Sequence, residues 1–323
     1  MISVIVPVYN AQEHLSDCLD SLLNQTLESD SYEIILLNDG SKDMSTEICE
    51  RYAKQYSNIV FVNKENEGVS KTRNLGIQKA KGDFVAFVDN DDLVETDYLE
   101  KLYTAISKSN ADAVFSGYIR MTYSGKVLFK ESLSQTDWAK YIVMAPWAKL
   151  YRRQVLLDNR IEFFDYGIGE DVAFNLQFLA KTKNIDIISY SGYKWMFNDG
   201  SVSNTSQRGL DDRLDIRILL EKILENNPEP DDYLSYFIYR YYIWYLLFSG
   251  RSSSKQQFLA YNKKIKVFLR EQNISRKISP LSRRLKGEKF SNRCAVLVFS
   301  LLDKCHLLPL FASVYCKKNN KRR

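Results

Sequence analysis

The sequence predicts an α/β fold, a doubly wound, mostly parallel sheet of the nucleotide-binding kind, with an appended helical region at the carboxyl end. Three observations predict it. Short apolar runs alternate with helical patterns four times in about the first ninety residues, the rhythm of parallel strands joined by crossover helices. Polar turns and acids gather where those runs end, at the carboxyl ends where open sheets place ligands. Beyond about Gln207 such motifs stop, and the chain becomes first aromatic and then basic.

The elements follow in order. Met1 to Tyr9 (Met-Ile-Ser-Val-Ile-Val-Pro-Val-Tyr) reads as the first strand; it is too short and wrongly flanked for a signal peptide. Asn10 is placed to cap the next helix, which carries Leu15, Cys18, Leu19, Leu22 and Leu23 at helical spacing. Tyr32 to Leu37 is the second strand, closed by the turn signal Asn38-Asp39-Gly40-Ser41. Met44 to Tyr56 is predicted helical, Ile59 to Asn63 a strand, Gly68 to Ala80 helical, and Phe84 to Val88 the fourth strand. That last strand runs into Asp89-Asn90-Asp91-Asp92, three carboxylates within four positions. Acids this close repel one another unless a cation or a basic partner neutralises them. A hard divalent cation with oxygen ligands, itself holding a phosphate, suits such a cluster. The plainer alternative is a solvated acidic turn capping a helix over Thr96 to Ser107, and Asp92 by itself fits that description.

Several chemistries lose their support. No Gly-x-Gly-x-x-Gly follows the first strand and no Gly-x-x-x-x-Gly-Lys-Ser/Thr occurs, which argues against a dinucleotide dehydrogenase and a P-loop phosphotransferase. The two histidines, His14 and His306, stand in unrelated contexts, so a histidine-based triad or zinc site is excluded. Five scattered cysteines without a Cys-x-x-Cys pair predict reduced thiols and a cytoplasmic location.

These residues resemble family 2 of the glycosyltransferases, inverting enzymes that use nucleotide sugars and have the GT-A fold. The resemblance rests on Ser3 to Asn10, Leu19 to Thr26, Glu33 to Ser41, Asn66 to Gly76 (Asn-Glu-Gly-Val-Ser-Lys-Thr-Arg-Asn-Leu-Gly) and Gly82 to Asp92, then on Pro146 to Arg152 and Gly169-Glu170-Asp171. It covers roughly the first two hundred residues. It implies that Asp39 accepts a hydrogen bond from the uracil or ribose, that Pro7, Val8 and Tyr9 wall the base, and that Arg73 approaches the nucleotide. It further implies that Asp91 ligates a magnesium or manganese ion bridging the diphosphate, and that Asp89 meets the ribose or a metal-bound water. Asp171 falls at the catalytic base.

The chemistry explains these residue types. Departure of a nucleoside diphosphate builds charge on phosphate, which a divalent ion stabilises without proton transfer. The attacking sugar hydroxyl needs a carboxylate to take its proton. One base acting opposite the leaving group gives inversion, and no second carboxyl is required as an acid. Glu170 and Asp171 begin a predicted helix, where acids are also simply stabilising; with the earlier motifs, Asp171 is assigned as the base. In Pro146 to Arg152, Trp147, Leu150 and Tyr151 read as core residues of a strand or loop beneath the acceptor site, or Trp147 takes a mixed role as a wall for the donor sugar. One departure stands out: Gly200-Ser201 is kept, but Asn198 and Asp199 occupy the place where relatives often carry a basic residue, with Lys194 or Arg208 as substitutes.

The predicted division is a catalytic domain over 1–207, with the nucleotide part over about 1–110 and the acceptor part over 111–207, followed by a helical region over 208–323. In that region Leu210 to Glu225 is amphipathic, Asn226 to Asp232 is a linker, and Tyr233 to Phe248 holds nine aromatics in sixteen positions. Ile274 to Arg323 holds thirteen Lys or Arg against two acids. Its apolar stretch, Cys294 to Cys316, is broken by Asp303, Lys304 and Pro309 and cannot span a bilayer. A basic helix lying on an anionic membrane fits, and no nucleic-acid partner is expected. The expectation is a metal-dependent inverting glycosyltransferase, peripheral on the inner face of the cell membrane, taking a UDP-sugar to a lipid-linked surface polysaccharide. The rivals are a sugar nucleotidyltransferase and a catalytically dead nucleotide- or glycan-binding module.

Overall fold

A computed structural model of the chain describes residues 1–197, 209–210 and 215–316. Asn198, Asp199, Gly200, Ser201 and Arg208 of the expected phosphate-side loop, and Lys317 to Arg323, lie outside the described residues. The chain divides into two compact units. The first comprises Met1–Gln135, Val143–Asp165 and Glu170–Asn198; the second comprises Thr136–Ile142, Tyr166–Gly169 and Asp199–Arg323.

The first unit opens with β1 (Ile2–Val8), α1 (Leu15–Leu23), β2 (Tyr32–Asp39), α2 (Ser45–Gln55), β3 (Ile59–Lys64), α3 (Val69–Lys79) and β4 (Phe84–Phe87). It continues with β5 (Leu93–Val94), α4 (Tyr98–Ser109), β6 (Ala113–Phe115), β7 (Tyr118–Met121) and β8 (Val127–Glu131). After these come β9 (Lys149–Arg152), α5 (Arg153–Asp158), α6 (Glu170–Lys181), β10 (Ile185–Ile187) and β11 (Tyr193–Met196). A seven-stranded sheet has the order β10-β6-β9-β4-β1-β2-β3. β1 pairs parallel with β2 and β4, β2 with β3, and β6 with β10. Only β9 runs against the rest, between β4 and β6. Every residue of β1 and β2 is buried, which is why both read as nearly continuous apolar runs. A small second sheet has the order β5-β11-β7-β8.

Two glycines of the motifs have steric reasons. A Cβ at Gly76 of α3 would stand 2.5 Å from Cγ2 of Ile5, so the helix lies against β1 only because that atom is missing. Gly40 has φ +70°, and a Cβ there would stand 2.8 Å from the Asn66 amide nitrogen. Asn10 does not cap α1. It sits at φ 48°, and its Oδ1 accepts a 2.8 Å hydrogen bond from the Lys42 amide. The Asn10 and Ala11 amides in turn donate to Ser41 and Ser45. The loop after β1 is therefore tied to the loop after β2, and the helix starts four residues late.

The second unit contains α7 (Ile216–Asn226), α8 (Asp232–Gly250), α9 (Lys255–Glu271), α10 (Phe290–Lys304) and α11 (Leu308–Tyr315). Asp231 caps α8 by accepting from the Leu234 amide, and Ser254 with Gln257 forms a capping box on α9. Tyr236, Phe237, Tyr242 and Tyr245 of α8 are buried, so the aromatic run is mainly core. Pro309 begins α11, so Cys294 of α10 and Cys316 after α11 do not share one helix. The basic tract is not a bare tail: Ile274, Ile278, Leu285, Val296 and Phe299 are buried, and Glu288 accepts a 2.9 Å bond from the buried Trp138 indole. Among the described residues no helix is long and apolar enough to cross a membrane.

Candidate active site

β2 delivers Asp39 at its end, 4% exposed. One carboxylate oxygen accepts from Lys64 of β3 and from the Glu67 amide at 2.9 Å; the other accepts from the Gly68 amide at 2.9 Å. Burial works against the charge, yet Lys64 and the two amides outweigh it and hold the carboxyl below the usual range. A carboxylate has about four lone-pair sites, so a further donor can still be accepted. Beside Asp39 an open cleft of about 720 Å³ is lined by Gly40, Ser41, Asn63, Lys64 and Asn66 among others.

β1 ends nearby. Val8 is fully buried, whereas Tyr9 is 49% exposed, so of the expected base wall only Tyr9 offers a largely open side chain. The Pro7 carbonyl accepts a 2.8 Å bond from Asn90 Nδ2, which ties the end of β1 to the acidic run after β4.

α3 carries Arg73, 4% exposed. Nη1 donates to Asp171 at 2.7 Å and Nη2 to Asp89 at 2.8 Å, while the guanidinium lies over the Phe163 ring. The sequence had set Arg73 toward the nucleotide; here it bridges the first acid of the Asp-x-Asp run and the acid opening α6. Both carboxylates keep part of their surface in solvent, 31% for Asp89 and 29% for Asp171. Desolvation pushes Asp171 up to about 7; Arg73 pulls it down, Glu170 and Asp89 push it up, and Lys149 pulls it down.

The remaining acids separate. Asp91 is half-buried, and its carbonyl accepts from the Tyr123 hydroxyl at 2.8 Å. Asp92 is not a solvated helix cap: it is 1% exposed, accepting from Tyr193 Oη at 2.6 Å and from the Met196 amide at 2.8 Å. Burial, then Asp89 and Asp91, push its carboxyl well up. Asp92 thus fastens β11 to the acidic run. Trp147 stacks on Tyr193 with centroids 4.6 Å apart and is 7% exposed; it backs Tyr193 and has little ring surface left for a sugar. Lys194 pairs with Glu95 at 3.0 Å, so its charge is already engaged.

Sequence reasoning missed Lys64, Tyr193 and Lys149. A lysine inside the apolar run Trp147-Ala-Lys-Leu-Tyr151 was the one available signal. Among the described residues no group of three His, Cys, Asp or Glu side chains is arranged to hold a metal ion. Mg²⁺, however, is usually bound by one or two carboxylates together with substrate phosphates. Asp89 and Asp91, hard oxygen donors at the carboxyl end of a strand, fit that requirement.

The profile of Glycosyl transferase family 2 matches residues 3–167. Glycosyltransferase GlyA of Streptococcus pneumoniae is 30% identical over 313 residues, covering 89% of this chain and 42% of GlyA. A poly(ribitol-phosphate) beta-glucosyltransferase of Bacillus spizizenii is 32% identical over 207 residues, covering 62% of this chain and 33% of that protein. The chain thus spans less than half the length of both relatives. The crystal structure of S. aureus TarS 1-349 in complex with UDP-GlcNAc superposes with a TM-score of 0.67 at 21% identity, covering 93% of this chain and 91% of that one. That likeness speaks for the fold alone.

Proposed function

The chain belongs to glycosyl transferase family 2 and has its GT-A-type fold, and we propose from this that it moves a sugar, with inversion, from a UDP-sugar to a hydroxyl of a growing lipid-linked surface polysaccharide. One observation carries the reading: buried Arg73 holds Asp171 and Asp89 on the two ends of one guanidinium. A base for the acceptor is thereby kept next to the acids that meet the donor, as an in-line displacement needs. The relatives, a glycosyltransferase and a poly(ribitol-phosphate) beta-glucosyltransferase, support the reaction class.

In this proposal Asp39 and Tyr9 receive the base, with Pro7 and Val8 as the backing of that wall. Asp89 and Asp91 would hold a magnesium or manganese ion, which when bound neutralises charge on the departing diphosphate. Arg73 keeps Asp89 and Asp171 in register. Asp171 takes the acceptor hydroxyl's proton while the oxygen attacks the anomeric carbon, and the raised affinity of its carboxylate for protons suits a base working near neutral pH. Exposed apolar side chains on α10 and α11 support contact with an anionic membrane surface: Phe290 is 76%, Leu310 67% and Val314 64% exposed. Arg283, Lys286 and Lys289, all exposed, precede them.

Screening nucleotide sugars for metal-dependent release of nucleoside diphosphate tests the reading. One UDP-sugar should be turned over far above the rest. Release from none, with UDP still bound, would leave a binding module.

A further inference from the structure

Lys149, the first residue of β9, is fully buried. A lysine is almost never fully buried unless it is paired, yet among the described residues its ammonium hydrogen-bonds to no carboxylate. Its ammonium donates instead to two backbone carbonyls of the preceding strap, Val143 at 2.8 Å and Ala145. The third side of the nitrogen faces the Phe115 ring at 4.8 Å. Two carbonyl oxygens and a ring face make a site for a cation.

The strap leads on to α6. Between the two clamped carbonyls lies that of Met144, which accepts a 2.7 Å bond from Nδ2 of Asn175. The same Nδ2 donates to the backbone carbonyl of Asp171 at 2.9 Å, and Oδ1 of Asn175 accepts from Tyr151 Oη at 2.8 Å. Lys149 and Tyr151, two apart on β9, thus hold the first turn of α6 from both sides of one amide. Asn175 is itself fully buried, so an unmade bond there would leave a polar group without water.

We infer that Lys149 is a positioning residue for Asp171: through the Val143–Ala145 strap and Asn175 it fixes the start of α6. The inference rests on the reading of Asp171 as the base. It draws support from the mutual effect of the two groups. Burial pushes Lys149 down to about 7 while Asp171 opposes that shift. Desolvation raises Asp171, with Arg73 and Lys149 opposing and Glu170 and Asp89 reinforcing. Arg73 reaches Asp171 from α3, Asp89 from the end of β4, Glu170 from α6 itself and Lys149 from β9, so the field of Lys149 is one of four and removable singly.

The experiment is a pH profile of kcat on the full-length protein, at saturating donor and metal. Lys149→Met keeps the length and apolar stem but removes the charge. Its acid limb should move up by roughly one pH unit, with UDP affinity within about twofold of wild type. Tyr151→Phe loosens the clamp while leaving every charge in place; kcat should fall roughly threefold or more, as for one lost hydrogen bond, with the acid limb unmoved. A folded Lys149→Met enzyme with an unshifted acid limb would overturn the electrostatic role. If that variant does not fold, unchanged kcat in Tyr151→Phe still overturns the positioning role. Asp171→Asn separates the two layers. Near-native turnover there removes the base assignment itself, whereas an inactive Asp171→Asn beside an unshifted Lys149→Met removes only the inference about Lys149.

Discussion

The two units of this chain bury charge in opposite ways. In the first, buried or half-buried charges converge on one another: Arg73 with Asp89 and Asp171, Lys64 with Asp39. In the second, the core is aromatic, and its buried acids anchor scaffolding: Asp215 joins Arg217 and Tyr261, and Glu288 joins Trp138 and Arg240. Taking charges out of water is expensive, and an ion pair in the interior only partly offsets it. A fold that clusters several such groups at strand ends is retaining them for chemistry. An acid that ties one neighbouring arginine together with an indole or a hydroxyl, as Asp215 and Glu288 do, serves architecture. Substitution should therefore separate activity from stability in the first unit and couple to stability in the second.

The largest expected effect tests that contrast at Asp91. Asp91→Asn removes one hard anionic ligand and should abolish transfer while the thermal transition stays close to wild type. Exhaustive EDTA treatment should silence the native enzyme likewise. Near wild-type turnover of the variant in supplied magnesium or manganese would remove Asp91 from the metal site.

Next comes Asp171→Asn, which keeps the size and a hydrogen-bonding oxygen but cannot accept a proton. Transfer should fall by a factor on the order of 10²–10⁴, with UDP affinity nearly unchanged. In the native enzyme the carboxyl is raised to about 7, so activity should fall as pH drops through that value and level off above it. A flat profile from pH 5 to 8 would assign proton transfer elsewhere.

Asp39 breaks the separation on purpose. Its contacts with Lys64 and the Glu67 and Gly68 amides make it the fastening of α3 beside its proposed place in the donor site. Asp39→Ala should weaken UDP binding by roughly 1.5–3 kcal/mol, as for a lost charged hydrogen bond, and should also lower stability at neutral pH. The folded carboxyl titrates below its ordinary value. Its stabilising contribution is therefore present above about pH 4, the unfolded value, and is lost as pH falls through the lower folded value. The stability difference between wild type and variant should accordingly shrink in acid. Calorimetry showing unchanged UDP affinity would confine Asp39 to the fastening.

How far the sequence could be read follows the same division. The alternation of β1 to β4 with three helices was legible because each strand is mostly apolar and Asp39, Asp89 and Asp91 stand at or just after strand ends. Asp39, Asp89 and Asp91 were nameable from their places at strand ends, and Asp171 only through the family resemblance. Their partners were not, because Arg73 reaches Asp171 across 98 positions and Tyr193 reaches Asp92 across 101, distances no local pattern encodes. The antiparallel β9 was legible only as a strand or loop, since four residues carry too little periodicity to fix direction. In the second unit, net charge marked Ile274 to Arg323 as a surface tract. It could not show that Ile274, Leu285 and Phe299 face inward, so deleting the tract would remove core as well as charge.

The smallest expected effect is therefore sought by point substitution on the outward face of α11. Leu310 and Val314 lie one turn apart and are each more than 60% exposed, whereas Leu308 before them and Ala312 between them are buried. Burying an apolar side chain fully contributes about 1.5–3 kcal/mol, and a side chain dipping partway into the headgroup boundary contributes a fraction of that. Leu310→Ser together with Val314→Ser should reduce partitioning onto anionic vesicles by roughly tenfold, with turnover of a small water-soluble acceptor and the thermal transition unchanged. Raising salt should weaken wild type and variant in parallel, because the basic residues before α10 supply a screened attraction that both retain. Should the double variant bind vesicles as the native chain does, the apolar face would have no part in membrane contact. Should its thermal transition fall instead, the face would belong to the architecture of the second unit.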